Sequence, residues 1–565
     1  MTGAIDTNTA LVIAYDIGTT TAKTCLYRFF GGATPRMELV GSASVEYGIQ
    51  FLPNGGAEQD PDDWWKAICV GTRAILSSGE GVKPADIRGA AFCCQMQGLV
   101  LVDADCKPVR PAMSYMDQRA SEQKRTGLEH GFRVAGMNLA KLLPSLSIAG
   151  GVSASVKDPL WKYRWVAENE GDAFARVYKW LDAKEYLVAK ATGRMAMTPD
   201  SANATFLYDT RPSRLSADGL GSWSPSLCAL FGVDPAHLPE VVGPTDIVGP
   251  LMPHAAAELG LDPGIPIFGG GGDLSLVGLG SGATEPGNIH IYMGTSGWVS
   301  VVTRNRIVDT NAFIASVMGA RKGLYNYISE QETSGKCMEW VRDHLVLDEV
   351  GAYLGVRNAA EDPDARYSSL FELLDEAIES VEPRLDSIMF APWLHGNRSP
   401  FEDPQARGIF FNIGLGSGKR SMIRAVAEGI AMHCRWQLES IRRKVDAVGP
   451  IRFVGGGARS RSIARIMSDV LGETIETVEH PHNSGALGAA LLCAKGLGLV
   501  STLAEVKTLI RPAETYKPRT ALTELYTRRF NVFKGLYSRN KPLFANLNGV
   551  AAQEQAVSEA PGTGG

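Results

Sequence analysis

The chain has 565 residues, 45% of them hydrophobic and 21% charged, with a formal net charge of −5. It is too long for one hydrophobic core, so two domains of ordinary globular composition are expected, and the charge leaves no basic footprint for nucleic acid. Nine cysteines without a CxxC pair, no apolar stretch long enough to span a membrane and no signal-like N-terminus point to a reduced, cytoplasmic protein.

The first readable element is an apolar strand, Leu11–Tyr15, running into Asp16-Ile17-Gly18-Thr19-Thr20 and followed by a second strand, Lys23–Phe29. A Gly/hydroxyl turn of this kind aims backbone amides and hydroxyls at an anion, and Lys23 is close enough to add charge. Asp16 would repel a bare phosphate, so its natural role is to hold Mg²⁺ beside the phosphates. The plain alternative is a polar turn capped by Asp16. Asp60 followed by Pro61 reads as the start of a helix toward Leu76. Ile87–Cys94 is a buried strand ending at Gln95-Met96-Gln97-Gly98, with Leu99–Asp103 returning as its partner. Asp158–Glu168 and Ala183–Ala191 have helical patterning.

The run Pro266–Gly272 closes one lobe with a strand and four glycines, which puts Asp273 at the junction. A carboxylate there can accept the proton of an attacking hydroxyl, or equally cap the helix Leu274–Leu279. Gly278–Gly282 imitates a dinucleotide fingerprint, but Ala283 stands where its third glycine belongs. Ile289–Met293 then runs into Gly294-Thr295-Ser296-Gly297 and a strand Trp298–Val302, repeating the first pattern. Gln331–Gly335 leads into a helix through Trp340, and Ser421–Arg443 has sustained helical periodicity. Gly414–Arg420 imitates a P-loop but has Ile413 and Arg420 at required Gly and Ser/Thr positions. Ile451–Val454 feeds Gly455-Gly456-Gly457 and a helix Ser460–Leu471; three glycines admit a flat ring or ribose, and the helix N-terminus favours a negative partner. From about 541 the chain turns small and polar and is expected to be disordered. Alternating strands and helices make this an α/β chain with mixed sheets covered by helices.

These residues together resemble the FGGY carbohydrate kinases from Leu11 to about Pro518. Glu58-Gln59-Asp60-Pro61 with Trp64-Trp65, Gln95–Val100, Met116–Arg119, Gly396-Asn397-Arg398-Ser399-Pro400 and Gly455–Ser460 are similar to xylulokinases in particular. The resemblance implies two ribonuclease-H-like domains of the actin/hexokinase ATPase type around a central cleft. Residues 1–270 would form the sugar-binding domain, 271–540 the ATP-binding domain and 541–565 the tail. It implies ATP and Mg²⁺ as cofactors, a small sugar as substrate, and the homodimer common in the family. Asp273 falls on the catalytic base. Asp16, Gly18, Thr19, Thr20 and Lys23 fall on the first phosphate motif, with Asp16 as the metal residue, and Gly294 and Thr295 on the second. Gly335, Gly456, Gly457 and Ser460 match the nucleotide region, and Met96, Gln97 and Asp117 match sugar contacts, where a carboxylate can accept two hydroxyls at once.

Three departures lie beside the sugar: Gln97 replaces a usual His, Leu274 a usual Asn, and Tyr115 a usual Trp. They leave phosphoryl transfer intact and open the substrate to a related ketose, ribulose or a polyol as well as D-xylulose. A non-catalytic sugar-responsive protein that keeps the ATPase fold is the alternative of a different class. A chaperone-like ATPase is disfavoured, because no peptide-binding β-domain or lid helices follow the second lobe.

Overall fold

A computed structural model describes residues 9–32, 35–78, 82–134, 136–346 and 370–549. Two sheets dominate it, and both are built the same way. In the first half the strands Thr9–Ile17, Thr21–Phe30 and Arg36–Glu46 form an antiparallel meander. Ile87–Cys94 then joins Thr9–Ile17 in parallel and continues to Pro266–Phe268 and Ile247–Pro250. In the second half Ile289–Met293, Gly297–Thr303 and Tyr325–Gln331 form the equivalent antiparallel set, with Ile314–Met318 and Val308–Asp309 added beyond Tyr325–Gln331. Ile451–Val454 joins Ile289–Met293 in parallel, followed by Ile475–Val478 and Pro512–Tyr516.

Alternation along the first strand explains why it reads as one apolar run. Leu11, Ile13, Tyr15 and Ile17 enter a core with Trp64, Ile68 and Leu187, whereas Val12 and Ala14 enter another with Leu276, Leu491, Val454 and Trp298. A strand covered on both faces needs apolar residues at every position. The second of these cores is shared by both halves. Its centre is a pair of helices, Asp273–Ser281 and Ser484–Gly496, in backbone contact: a side chain at Gly280 would collide with Ser484 O, and one at Gly488 with Leu276 O.

The Asp60 cap is present, with its carboxylate accepting from Asp62 N at the head of helix Pro61–Ser77. Two expectations fail. Val100–Val102 pairs with Lys179–Leu181, not with Ile87–Cys94. The latter is already flanked on both edges by parallel neighbours, so the returning chain has no free edge and serves a satellite core around Trp161 and Trp180. The tail expected from 541 is helical as far as Asn548, because Tyr537 and Phe544 pack against Trp393; residues 550–565 lie outside the described residues. Among the described residues no helix is long and apolar enough to cross a membrane, and all nine cysteines are free.

Candidate functional site

A cleft of about 340 Å³ runs between the halves, and every candidate catalytic, nucleotide, metal or sugar residue from the sequence lines it except Asp117. At one end the two Gly/hydroxyl turns face it together. In the first turn each carbonyl is engaged elsewhere: Ile17 O accepts from Gln95 N (2.7 Å), Gly18 O from the Tyr47 hydroxyl, Thr19 O from Gln59 Nε2 (2.7 Å) and Thr20 O from Tyr47 N (3.0 Å). The second turn repeats this. Gly294 O accepts from Gly335 N (2.8 Å), Thr295 O from Ser334 N and Lys336 N (3.2 and 3.1 Å), and Ser296 O from Gly294 N (3.0 Å). With their negative ends tied into the protein, both turns present a positive polarity to the cleft. Lys23 adds a cation, 3.7 Å from Asp16 and donating to His482 O (2.7 Å) from the opposite half.

The glycines divide into two kinds. Side chains at Gly294, Gly335 and Gly457 would collide with Tyr292, Gly294 O and Met293 respectively, and Gly455 has φ +95° hard against the Met293 carbonyl, so the fold itself requires glycine there. At Gly18 an added Cβ would make only ordinary contact (3.4 Å), and at Gly456 it would meet nothing closer than 4.0 Å. Those two leave room in the cleft. Ser460 caps helix Arg461–Leu471 through Ile463 N (3.1 Å) and donates to Asp375, a cleft carboxylate pushed upward by burial.

Asp273 opens its helix at the first helical position, with Gly272 as the cap residue, and its Oδ1 accepts only the next amide, Leu274 N (2.8 Å). Asp273 thereby satisfies one first-turn amide, as the capping alternative expects, while also lining the cleft. Buried Asp200 anchors this helix start, accepting from Gly272 N (2.7 Å) and Ser275 Oγ. Burial, and then the Asp16 charge, hold the Asp273 carboxyl well above the usual carboxylate range. A carboxylate in that state is a ready proton acceptor.

At the other end Met96, Gln97 and Tyr115 form the wall. Gln97 sits at φ +65°, its carbonyl held by Lys162 Nζ (2.8 Å), which also takes Ser114 O (2.7 Å). Burial pushes Lys162 down to about 7. Tyr115 is pushed up to about 12 by burial and bonds Thr19 Oγ1 at 3.2 Å. Facing this wall are Glu330, Glu332 and Arg398 from the second half, with Arg398 Nε on Glu330 at 2.8 Å and Lys157 on Glu332 at 2.9 Å.

The N-terminal domain model of the FGGY family of carbohydrate kinases matches residues 11–280 and the C-terminal domain model matches 289–497. The chain belongs to the FGGY family of carbohydrate kinases. It is 26% identical over 529 residues to a xylulose kinase of Staphylococcus xylosus, covering 94% of this chain and 100% of that one. It is 24% identical over 531 residues to a gluconokinase of Bacillus licheniformis, covering 94% and 96%. The crystal structure of gluconate kinase from Lactobacillus acidophilus shares its fold, with a TM-score of 0.78 at 21% identity over 95% of this chain and 100% of that one.

In this FGGY kinase the expectation for Asp117 needs correcting. Asp117 is fully buried, and both its carboxylate oxygens are used: Oδ2 accepts from Ala57 N (2.8 Å) and Arg119 Nη2 (2.7 Å), and Oδ1 from Arg119 N (3.1 Å). Asp117 does not line the cleft, and it braces the wall through Arg119, which also reaches Glu58 (2.6 Å). Sequence reasoning assigned no role to Glu330, Glu332, Asp375 or Arg398. Arg398 had a signal, since it lies in the Gly396–Pro400 segment that resembles xylulokinases, but its partners could not be read from the sequence.

Proposed function

We propose that this carbohydrate kinase transfers the γ-phosphoryl group of ATP to a hydroxyl of D-xylulose or a related neutral ketose or polyol, with ribulose among the alternatives. One observation carries the reading. Asp273 lies in the same cleft as two turns whose carbonyls are all engaged within the protein, so a base and an anion cradle share one space. Gly18 and Gly456, glycines that the fold does not itself require, support approach of the phosphates and the nucleoside there.

In this reading the sugar rests against Met96, Gln97 and Tyr115, and the amides of the two turns hold the β- and γ-phosphates. Asp273 receives the proton of the attacking hydroxyl as its oxygen bonds to phosphorus and the bond to the ADP oxygen breaks. Asp16 fits a single-carboxylate Mg²⁺ site, because it faces the phosphate end and Gly485 leaves it space where a side chain would come within 2.7 Å. Mg²⁺ held there would neutralise phosphate charge. Lys23 neutralises more of it, and positioning supplies much of the remaining rate. Arg398, the guanidinium facing Met96, Gln97 and Tyr115, is already paired with Glu330, which favours a neutral substrate over an aldonate. Free cysteines throughout support a reduced, cytoplasmic setting.

The test is a coupled ADP-release assay across pentuloses, hexuloses, pentitols, erythritol and gluconate, with Asp273→Ala alongside. Sugar-dependent ADP release that Asp273→Ala abolishes is expected. Release that ignores both sugar and Asp273→Ala would sink the mechanism, and a clear preference for gluconate would overturn the substrate class.

A further inference from the structure

Arg398 is offered to the cleft from a fastened loop of the C-terminal half. Asn397 Nδ2 donates to Phe401 O (2.8 Å), Ser399 Oγ to Glu330 O (3.0 Å), and His433 Nε2 meets Ser399 O at 3.0 Å. The guanidinium therefore has little freedom of its own. Its Nε holds Glu330 at 2.8 Å on its own side of the cleft. Its Nη2 reaches across to the N-terminal half, 3.2 Å from Gln97 Oε1 and 3.7 Å from Asp158 Oδ1.

Asp158 is an unfinished contact. It is 1% exposed, and its Oδ2 accepts from Ser153 Oγ (3.1 Å) and Ser155 N (3.0 Å), but its Oδ1 accepts no hydrogen bond. A buried carboxylate oxygen left without a donor is costly, and 3.7 Å is beyond hydrogen-bond reach. An approach of about 0.8 Å between the halves would complete it, taking about 2.9 Å as the bonded distance. The neighbouring Lys157–Glu332 pair already bridges the halves at 2.9 Å, so such an approach is guided.

We propose that Arg398 is a positioning residue that exchanges partners when sugar binds. A sugar hydroxyl that donates to Gln97 Oε1 competes with Arg398 for that oxygen, frees Nη2 for Asp158 Oδ1, and so draws the two halves together before phosphoryl transfer. This rests on the sugar-kinase reading and assigns to one guanidinium the link between sugar occupancy and closure.

The experiment uses the full chain with Asp158→Asn, Arg398→Lys, Gln97→Ala and the Asp158→Asn/Gln97→Ala pair. KM for sugar, KM for ATP and kcat are measured on the sugar that the wild type turns over fastest. The radius of gyration is measured by solution scattering with and without that sugar, and unfolding midpoints are taken for all variants. Asp158→Asn keeps the side-chain shape and Arg398→Lys keeps the charge but loses the planar fork. Each is expected to raise sugar KM and lower kcat by roughly tenfold, move ATP KM by less than about threefold, and reduce the sugar-induced contraction. In the double variant the sugar-KM effects should be less than additive. Wild-type contraction and kinetics retained in a folded Asp158→Asn and Arg398→Lys would overturn the exchange, as would the absence of contraction in the wild type at saturating sugar. Equal losses in sugar and ATP KM that track the unfolding midpoint would also overturn it, marking a merely structural pair. Absence of turnover on any sugar would overturn the kinase reading alone, and scattering with D-xylulose would still decide the exchange.

Discussion

The two ends of the cleft are made of different material. At the end proposed for the phosphates the two halves contribute equivalent pieces, a strand, a turn and a strand, and the turn carbonyls are all bonded within their own half. At the end proposed for the sugar nothing is repeated. One half brings Met96, Gln97 and Tyr115, the other Glu330, Glu332 and Arg398, and the side-chain pairs Arg398–Gln97 and Lys157–Glu332 reach across. Backbone cradles suit a ligand part that never changes, and side-chain pairs suit a part that must be selected, since one substitution can alter them without disturbing a strand.

The comparison can be broken most severely at the point where the ends meet. Asp273→Ala should lower kcat by roughly 10³-fold with little change in either KM, as read by ADP release, because general-base removal acts on the transition state. Next come the glycines. Gly335→Ala and Gly457→Ala should lower the unfolding free energy in denaturant titration by about 2 kcal/mol or more, because each added methyl strikes atoms of the protein. Gly456→Ala should leave the unfolding free energy within about 0.5 kcal/mol of the wild type but raise ATP KM by roughly tenfold. If Gly456→Ala leaves ATP KM unchanged, the phosphate end is not where the nucleoside approaches.

Asp117→Asn separates bracing from binding. It should cost about 3 kcal/mol of stability in denaturant titration by weakening a buried pair with Arg119, with sugar KM within about twofold of the wild type. The smallest effect is in pH. The raised Asp273 carboxyl must lose its proton to act, so kcat/KM for sugar should fall as pH drops through a value above the ordinary carboxylate range. The same shift means that the folded protein binds this proton more tightly than the unfolded chain, so Asp273 costs stability increasingly as pH rises through the window from the unfolded to the folded value. Asp273→Asn should therefore be more stable than the wild type at alkaline pH, by about 1 kcal/mol.

What could be read in advance follows the same division. Strand, turn and strand are contiguous, so both turns, the GGG segment and the place of Asp273 in the cleft were legible, as was the Asp60–Pro61 helix start. Asp117 was misjudged because a carboxylate that looks free in a sequence is consumed by Arg119, two residues on, once the chain turns back on Ala57. Asp158, Glu330 and Arg398 were invisible as a set, since only the packing of one half on the other brings them together. Gly457 was assigned to the nucleotide, yet Met293 behind it demands glycine whatever the ligand.

The crossing of the helices Asp273–Ser281 and Ser484–Gly496 has one further consequence. Gly280 and Gly488 let them touch backbone to backbone, and Gly485 on the second helix sits against Asp16. These three residues carry no functional group, yet they act as spacers of zero thickness that gauge the gap between Asp273 and Asp16. A methyl at any of them is a shim, and it would detune the enzyme from behind while leaving every chemically active residue in place.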